Sequence, residues 1–253
     1  MIQLKHLILI LLLFSSVFAE QKKVYFYTTE TNINDFKSLQ VSFDQYLQPF
    51  GNYNFQAFSN KEVFEEYLKD ENIVVILSSW HYKQIAKKYN LQVQLVALKK
   101  ESITDTKVLI GIKGSSYTGT LTTPFPHEYA TSHINKLTLD NSLHILKVPK
   151  EIDALMSVGF GMSQFALVSK DSFELLKKAN SFLASQMEIF GESTPTLRML
   201  VASKIKKHNN KEFMEVFTTM DSRDEGKKVL DMLGIDKIVI LTKNDLQKLG
   251  GVK

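Results

Sequence analysis

Ile73-Val74-Val75-Ile76-Leu77, followed at once by Ser78-Ser79-Trp80-His81-Tyr82, is the stretch that decides the fold. Five apolar residues in a row, four of them β-branched, show no alternation with polar ones. Such a run reads as a strand covered on both faces, as in a parallel sheet with helices above and below. Small hydroxyl residues end it, and a short helix is predicted from there to Tyr89. Upstream, Lys23 to Tyr27 is a β run followed by a polar loop from Thr28 to Asn34. Asp35 opens a helix that sets Phe36, Leu39, Phe43, Tyr46 and Leu47 on one face, and Pro49 and Gly51 end it. Tyr53 to Phe58 alternates as a strand. Ser59-x-x-Glu62 reads as a capping box before a helix carrying Val63, Phe64, Tyr67 and Leu68. Leu91 to Leu98 is the next strand. Strands alternating with helices predict a parallel sheet with crossover helices.

Ligands in such sheets bind beyond the carboxyl ends of the strands. Thr28, Thr29, Trp80 and Tyr82 stand there and are candidate ligand residues. Trp80, the single tryptophan, either lines a cleft or anchors a helix start.

A second α/β unit is read over residues 113–190. Lys107 to Ile112 is a strand, and Gly114 to Gly119 a loop. A short β run from Gly119 ends in the turn Thr122-Thr123-Pro124, with a helix from His127. The first amides of that helix lack partners within it, so an anion is at home there, and Thr122 and Thr123 add hydroxyl donors. Thr123 as a plain helix cap is the competing reading. Leu143 to Val148 is a strand, Pro149 suits the first turn of a helix to about Val158, and Gly159-Phe160-Gly161 breaks it. Gln164 to Val168 is a strand, Asp171-x-x-Glu174 caps a helix, and another strand falls within Phe182 to Ile189. Beyond Gly191 the expectation is mostly helix, over Thr196–Lys207, Lys211–Met220 and Ser222–Leu233. Ile235 to Leu241 is a last strand, and Thr242-x-x-Asp245 starts a terminal helix. Ser193 lies ahead of Pro195 and either caps the helix after it or donates to an anion.

The chain of 253 residues is 44% hydrophobic and 23% charged, enough for one large domain or two α/β lobes. A net charge of +4 without a basic, aromatic-studded stripe gives no reason to expect nucleic acid. Residues 1–19 have a charged start at Lys5, an apolar run from Leu7 to Phe14, and Val17-Phe18-Ala19 before Glu20. That is the pattern of a cleaved secretory signal peptide. There is no cysteine, so disulfides, thiol catalysis and Cys-ligated zinc are excluded. The six histidines follow no ligand spacing, and the spacing of His127-Glu128 and His133 is not that of HExxH. Neither a dinucleotide fingerprint nor a GxSxG elbow is present. No metal, cofactor or catalytic residue is therefore expected, and no enzyme.

Three stretches together carry a resemblance. Val158-Gly159-Phe160-Gly161-Met162-Ser163-Gln164-Phe165-Ala166-Leu167-Val168-Ser169, the run from Asp221 through Glu225-Gly226 to Leu233-Gly234-Ile235, and Phe64 to Ser79 resemble type 2 periplasmic solute-binding proteins. The similar branch comprises phosphonate- and phosphite-binding components of ABC transporters. The resemblance implies an α/β fold of two lobes, each a mainly parallel sheet flanked by helices, joined by two crossing strands near Lys107–Ile112 and Glu188–Thr194. It divides the chain into residues 20–112 plus 191–253 and residues 113–190. It implies a monomer in the periplasm that holds a small anionic solute, phosphonate- or phosphate-like, between the lobes. The partner is the membrane permease of an ABC transporter or, in the alternative reading, a membrane sensor regulated by the same lobes. A periplasmic enzyme is the third reading. Two departures bear on the ligand: Gln164 stands where an Asp is usual, and Thr122-Thr123-Pro124-Phe125-Pro126 replaces a Ser/Thr-Ser-Gly turn.

Overall fold

The computed structural model describes residues 21–28, 33, 35–116, 118–136, 143–204 and 210–247. The expected signal segment and Thr29 lie outside the described residues.

The first sheet has six strands in the order β13-β4-β12-β3-β1-β2. They are β1 (Lys22–Tyr27), β2 (Tyr53–Ala57), β3 (Ile73–Leu77), β4 (Gln92–Leu98), β12 (Leu200–Ser203) and β13 (Lys237–Ile240). β1 pairs in parallel with β2 and β3, with Tyr27 opposite Leu77. All five residues of β3 are fully buried, as its unbroken apolar run requires. Val74 and Ile76 face α1 (Phe36–Leu47) and α9 (Asp224–Leu233) across Leu39, Phe43, Val229 and Leu230. Ile73, Val75 and Leu77 face the opposite layer, α2 (Lys61–Tyr67) and α3 (Ser79–Tyr89), through Phe64, Tyr82 and Ile85. Each such side chain contributes about 1.5–3 kcal/mol on burial. β3 therefore pins both helical layers.

The second sheet runs β10-β6-β9-β7-β8. It comprises β6 (Lys107–Ile112), β7 (Gly119–Thr123), β8 (Leu143–Lys147), β9 (Phe165–Ser169) and β10 (Met187–Glu192). β7 is parallel to β8 and β9, while β6 is antiparallel to β9 and β10. One face carries α5 (Glu151–Gly159), α6 (Lys170–Ala179) and α7 (Ser181–Ser185). The other carries α4 (His127–Lys136). Between the sheets the chain passes through β5 (Thr104–Asp105) and β11 (Thr196–Leu197), which pair antiparallel as a two-stranded ribbon. α8 (Asn210–Thr218) and α10 (Lys243–Gln247) complete the chain.

Three expectations are corrected. The strands expected as crossings, β6 and β10, pair with each other inside the second sheet, and the β5–β11 ribbon makes the passage. Residues 107–112 and 191–192 thus belong with the second sheet. The helix expected over Thr196–Lys207 is instead β11 and β12 across 196–203. Leu200-Val201-Ala202 inserts antiparallel between β3 and β4, so both of its edges are hydrogen-bonded and both faces are buried. A short apolar run carries no period that separates this from a buried helix. The strand within Phe182–Ile189 begins only at Met187, after the short helix α7. Two caps also shift: Asn60 accepts the Val63 amide and Ser169 accepts the Ser172 amide. The Thr242–Asp245 pair does bond reciprocally at the start of α10.

Candidate functional site

The carboxyl ends of β1 and β9 and the β5–β11 ribbon converge on a cavity of about 250 Å³. Its lining includes Thr28, Lys99, Asp105, Asp171, Arg198 and Asp231, drawn from both sheets and the ribbon. Arg198 follows β11 directly. Its Nε donates to the Ser102 carbonyl at 3.1 Å, which fixes the guanidinium plane. Nη2 then meets Asp171 Oδ2 at 3.0 Å, and Nη1 lies 3.8 Å from Asp105 Oδ1. Asp171 sits in the first turn of α6 and also receives Lys100 Nζ at 3.0 Å and Lys99 Nζ at 3.9 Å. Burial pushes the Asp171 carboxyl up, but Lys100, Arg198 and Lys99 outweigh it and hold the group below the usual carboxylate range. Asp105 is matched by Lys107, 2.7 Å away and 1% exposed, whose ammonium also lies over the Phe125 ring. Glu151 is buried at the same level, but its oxygens are taken by the Ser169 amide (2.8 Å), the Ser169 hydroxyl (2.6 Å) and the Ser172 hydroxyl.

Outside the cavity's lining, Trp80 of α3 meets Tyr129 of α4 edge-on with ring centroids 5.2 Å apart. Lys61 Nζ lies 5.5 Å from the Trp80 ring and 3.9 Å from Glu128. Trp80 therefore packs across the junction of the two lobes, against the apolar cluster of the second.

The other candidates read from the sequence divide sharply. Thr28 lines the cavity. Tyr82 does not: it is buried under the first sheet, where its hydroxyl donates to the Leu91 carbonyl and accepts the Val93 amide. Thr122 is wholly buried, with Phe165 O, Ala154 O and Ser163 Oγ at 3.1, 3.2 and 2.9 Å. Thr123, equally buried, donates to the Leu167 carbonyl at 2.8 Å and accepts the Phe125 amide at 3.3 Å. Neither threonine offers its hydroxyl to the cleft, and Phe125, 1% exposed, fills the turn where an anion was expected. Ser193 has no helix after it. Its hydroxyl accepts the Lys107 amide and its own amide donates to the Lys107 carbonyl, so it extends the β6–β10 ladder.

Thr123→Val should consequently act on folding. It strands the Leu167 carbonyl and the Phe125 amide, at a cost of about 1–3 kcal/mol. Urea unfolding should register that loss while calorimetric solute affinity stays at the parent value. A weakened affinity with intact stability would return Thr123 to the cleft.

His81 next to Trp80 is 1% exposed, with Nε2 3.0 Å from Glu65 Oε1 and Nδ1 without a hydrogen-bond partner. The rings of Tyr27 and Phe64 lie 5.5 and 5.6 Å away. Burial lowers the His81 pKa below its ordinary 6.5, with Lys61 assisting and Glu65 opposing. The folded state then binds this proton less readily than the unfolded chain. The stability is present above pH 6.5 and is lost as pH falls toward the folded-state pKa, by at most about 1.4 kcal/mol per pH unit. Thermal midpoints compared at pH 7.5 and 5.5 should fall more steeply in the parent than in His81→Gln; parallel slopes would remove His81 as the cause.

Arg198, Asp171, Lys99 and Asp105 are not among the ligand candidates that the sequence offers, where Asp171 reads only as a helix cap. Arg198 had a signal: it is one of only two arginines in a lysine-rich chain and interrupts an apolar run. Among the described residues no group of His, Asp and Glu is arranged to hold a metal ion, and no helix is long and apolar enough to cross a membrane.

Two α/β lobes joined by a two-stranded ribbon, with a cavity at the strand ends between them, define the two-lobed fold of periplasmic binding proteins. No family model and no curated protein matches the sequence. Among solved structures, the chain is similar to a binding protein component of an ABC phosphonate transporter from Pseudomonas aeruginosa, with a TM-score of 0.66 and 14% identity over 90% of this chain and 84% of that one. It is similar to PhnD1 of Prochlorococcus marinus in complex with methylphosphonate, with a TM-score of 0.66 and 13% identity over 90% of this chain and 96% of that one. A Xanthomonas citri protein bound to ATP gives a TM-score of 0.68 at 10% identity, over 90% of this chain and 94% of that one. At these identities the likeness establishes the fold, and in particular the type 2 form shared with phosphonate-transporter binding components.

Proposed function

We propose that this chain is a solute-binding protein that captures a small anionic solute, phosphonate- or phosphate-like, between its lobes and delivers it to the permease of an ABC transporter. In this reading it works as a periplasmic monomer, exported by cleavage before Glu20, and performs no chemistry on its cargo. The lobes are the two sheets with their helices, and the β5–β11 ribbon is the hinge.

One observation carries the proposal: Arg198, Lys99 and Lys100 converge on a single carboxylate, Asp171, at the lobe junction. The first lobe and the ribbon thus present cations to the cleft, and Arg198 is held in place by backbone independently of any partner across it. Charge-assisted bonds from such a cradle are the strong ones for an oxyanion. Thr28 supplies a further polar group at the end of β1. The fold shared with phosphonate-transporter components supports the same reading.

A thermal-shift screen against phosphate, phosphite, phosphonates, sulfonates and carboxylates tests it, since a ligand of the native state raises the unfolding midpoint by mass action. An oxyanion that stabilises at millimolar concentration or below is the expected result. Stabilisation by cationic or neutral solutes alone would overturn the anion assignment.

A further inference from the structure

Four described ion pairs across the lobe junction set cations of the first lobe or the ribbon against carboxylates of the second lobe, while Lys107–Asp105, between the second lobe and the ribbon, runs the other way. Lys61, Lys99, Lys100 and Arg198 belong to the first lobe or the ribbon, and Glu128 and Asp171 to the second lobe. We propose that Asp171 is an internal competitor for the cleft's anion: its carboxylate occupies the Arg198–Lys99–Lys100 cradle, and an anionic solute binds there by replacing it. This deepens the anion-binding reading and rests on it, adding which group must leave and what that does to selectivity.

The geometry makes the exchange possible. The guanidinium is oriented by its bond to the Ser102 carbonyl, so it keeps its pose when Asp171 departs. The Lys100 amide is likewise tethered to Asp236 Oδ2 at 2.6 Å. Asp105 does not fill the vacated place, because Lys107 holds it at 2.7 Å and Arg198 Nη1 is 3.8 Å away. Glu151 is engaged by Ser169 and Ser172. Asp231 lines the same cavity from the end of α9. Asp171, by contrast, stands on α6 of the opposite lobe and withdraws whenever the lobes separate.

The exchange also sorts anions by charge. Replacing one carboxylate by a univalent anion leaves the charge of the cradle unchanged and gains little. A divalent oxyanion brings one more negative charge within a few ångströms of three cations. Asp171 therefore raises the threshold for univalent anions and lets divalent oxyanions through.

Calorimetry at constant ionic strength and pH 8 with inorganic phosphate, sulfate and acetate, on the parent and on Asp171→Asn, is the test. The expected result is phosphate binding about tenfold tighter in D171N, with Glu128→Gln, which breaks the other inter-lobe pair, staying at the parent value. Equal or weaker phosphate binding in D171N, with the parent binding normally, overturns the inference and leaves the anion site standing, since Asp171 would then position the cations. If neither protein binds any of the three anions, the anion reading falls and this inference with it. Asp171→Ser serves where the asparagine variant misfolds. A variant-free readout is the Asp171 side-chain carboxyl resonance in ¹³C-labelled parent protein. It should shift at phosphate saturation, and an unmoved resonance overturns the displacement.

Discussion

Gly226→Ala is expected to destabilise the protein by about 2 kcal/mol or more, although alanine is the better helix former. Gly226 is the third residue of α9 and is buried. A Cβ there would lie 2.1 Å from the Met220 carbonyl oxygen and 2.8 Å from its C and Cα. These are backbone atoms of a 3₁₀ turn, Met220–Ser222, whose own Met220 side chain is fully buried, so no side chain can rotate away. Relief requires α9 to shift, and α9 packs Val229, Leu230 and Leu233 into the core shared with α1 and the first sheet. Alanine gains about 1 kcal/mol in helix propensity. Overpacking costs typically about 1–3 kcal/mol and more where backbone is hit, so the loss prevails. Urea unfolding with an unchanged m-value and a lowered midpoint would confirm it. A midpoint at or above the parent's would mean that α9 does not approach the turn this closely.

The same glycine illustrates what a sequence yields and what it withholds. Glu225-Gly226 was legible as part of a motif, but its reason, the contact with Met220, lies across a turn and needs coordinates. β3 was legible because its burial on both faces is written as an unbroken apolar run, and the helices around it because their apolar spacing is complete. Leu200-Val201-Ala202 was not, since the same kind of run serves a helix or a strand, and its strand state is decided by the open edges of β3 and β4. The expected hydroxyl donors of Thr122 and Thr123 parted from the structure for a related reason. Thr122 and Thr123 sit at a strand end, where an anion belongs, but the outward or inward aim of a hydroxyl depends on which carbonyls pass nearby, here those of Phe165 and Leu167. Pro124-Phe125 in place of small residues was the visible warning. The Lys99-Lys100 pair, Asp171 and Arg198 are separated by many residues in the chain, and only the crossing ribbon brings them together.

Arg198 is where the largest loss of binding is expected. Arg198→Met keeps the length of the side chain and removes its charge and donors. A hydrogen bond to a charged group contributes about 1.5–3 kcal/mol, so phosphate affinity should fall by roughly one to two orders of magnitude. Folding should be affected less. Asp171 keeps Lys100 and Lys99, Asp105 keeps Lys107, and the neighbouring Leu197, Met199 and Leu200 keep their burial. Arg198→Lys separates charge from shape. A lysine preserves the positive charge but has no Nε–H to anchor on the Ser102 carbonyl and no planar fork for two oxygens. It should recover part of the affinity, remaining about tenfold below the parent if orientation matters and equal to it if charge alone does. Calorimetry on the parent and both variants, with circular dichroism to verify folding, ranks the three. If Arg198→Met folds and binds phosphate like the parent, the cations at the lobe junction serve only to hold the lobes together, and the solute site lies elsewhere.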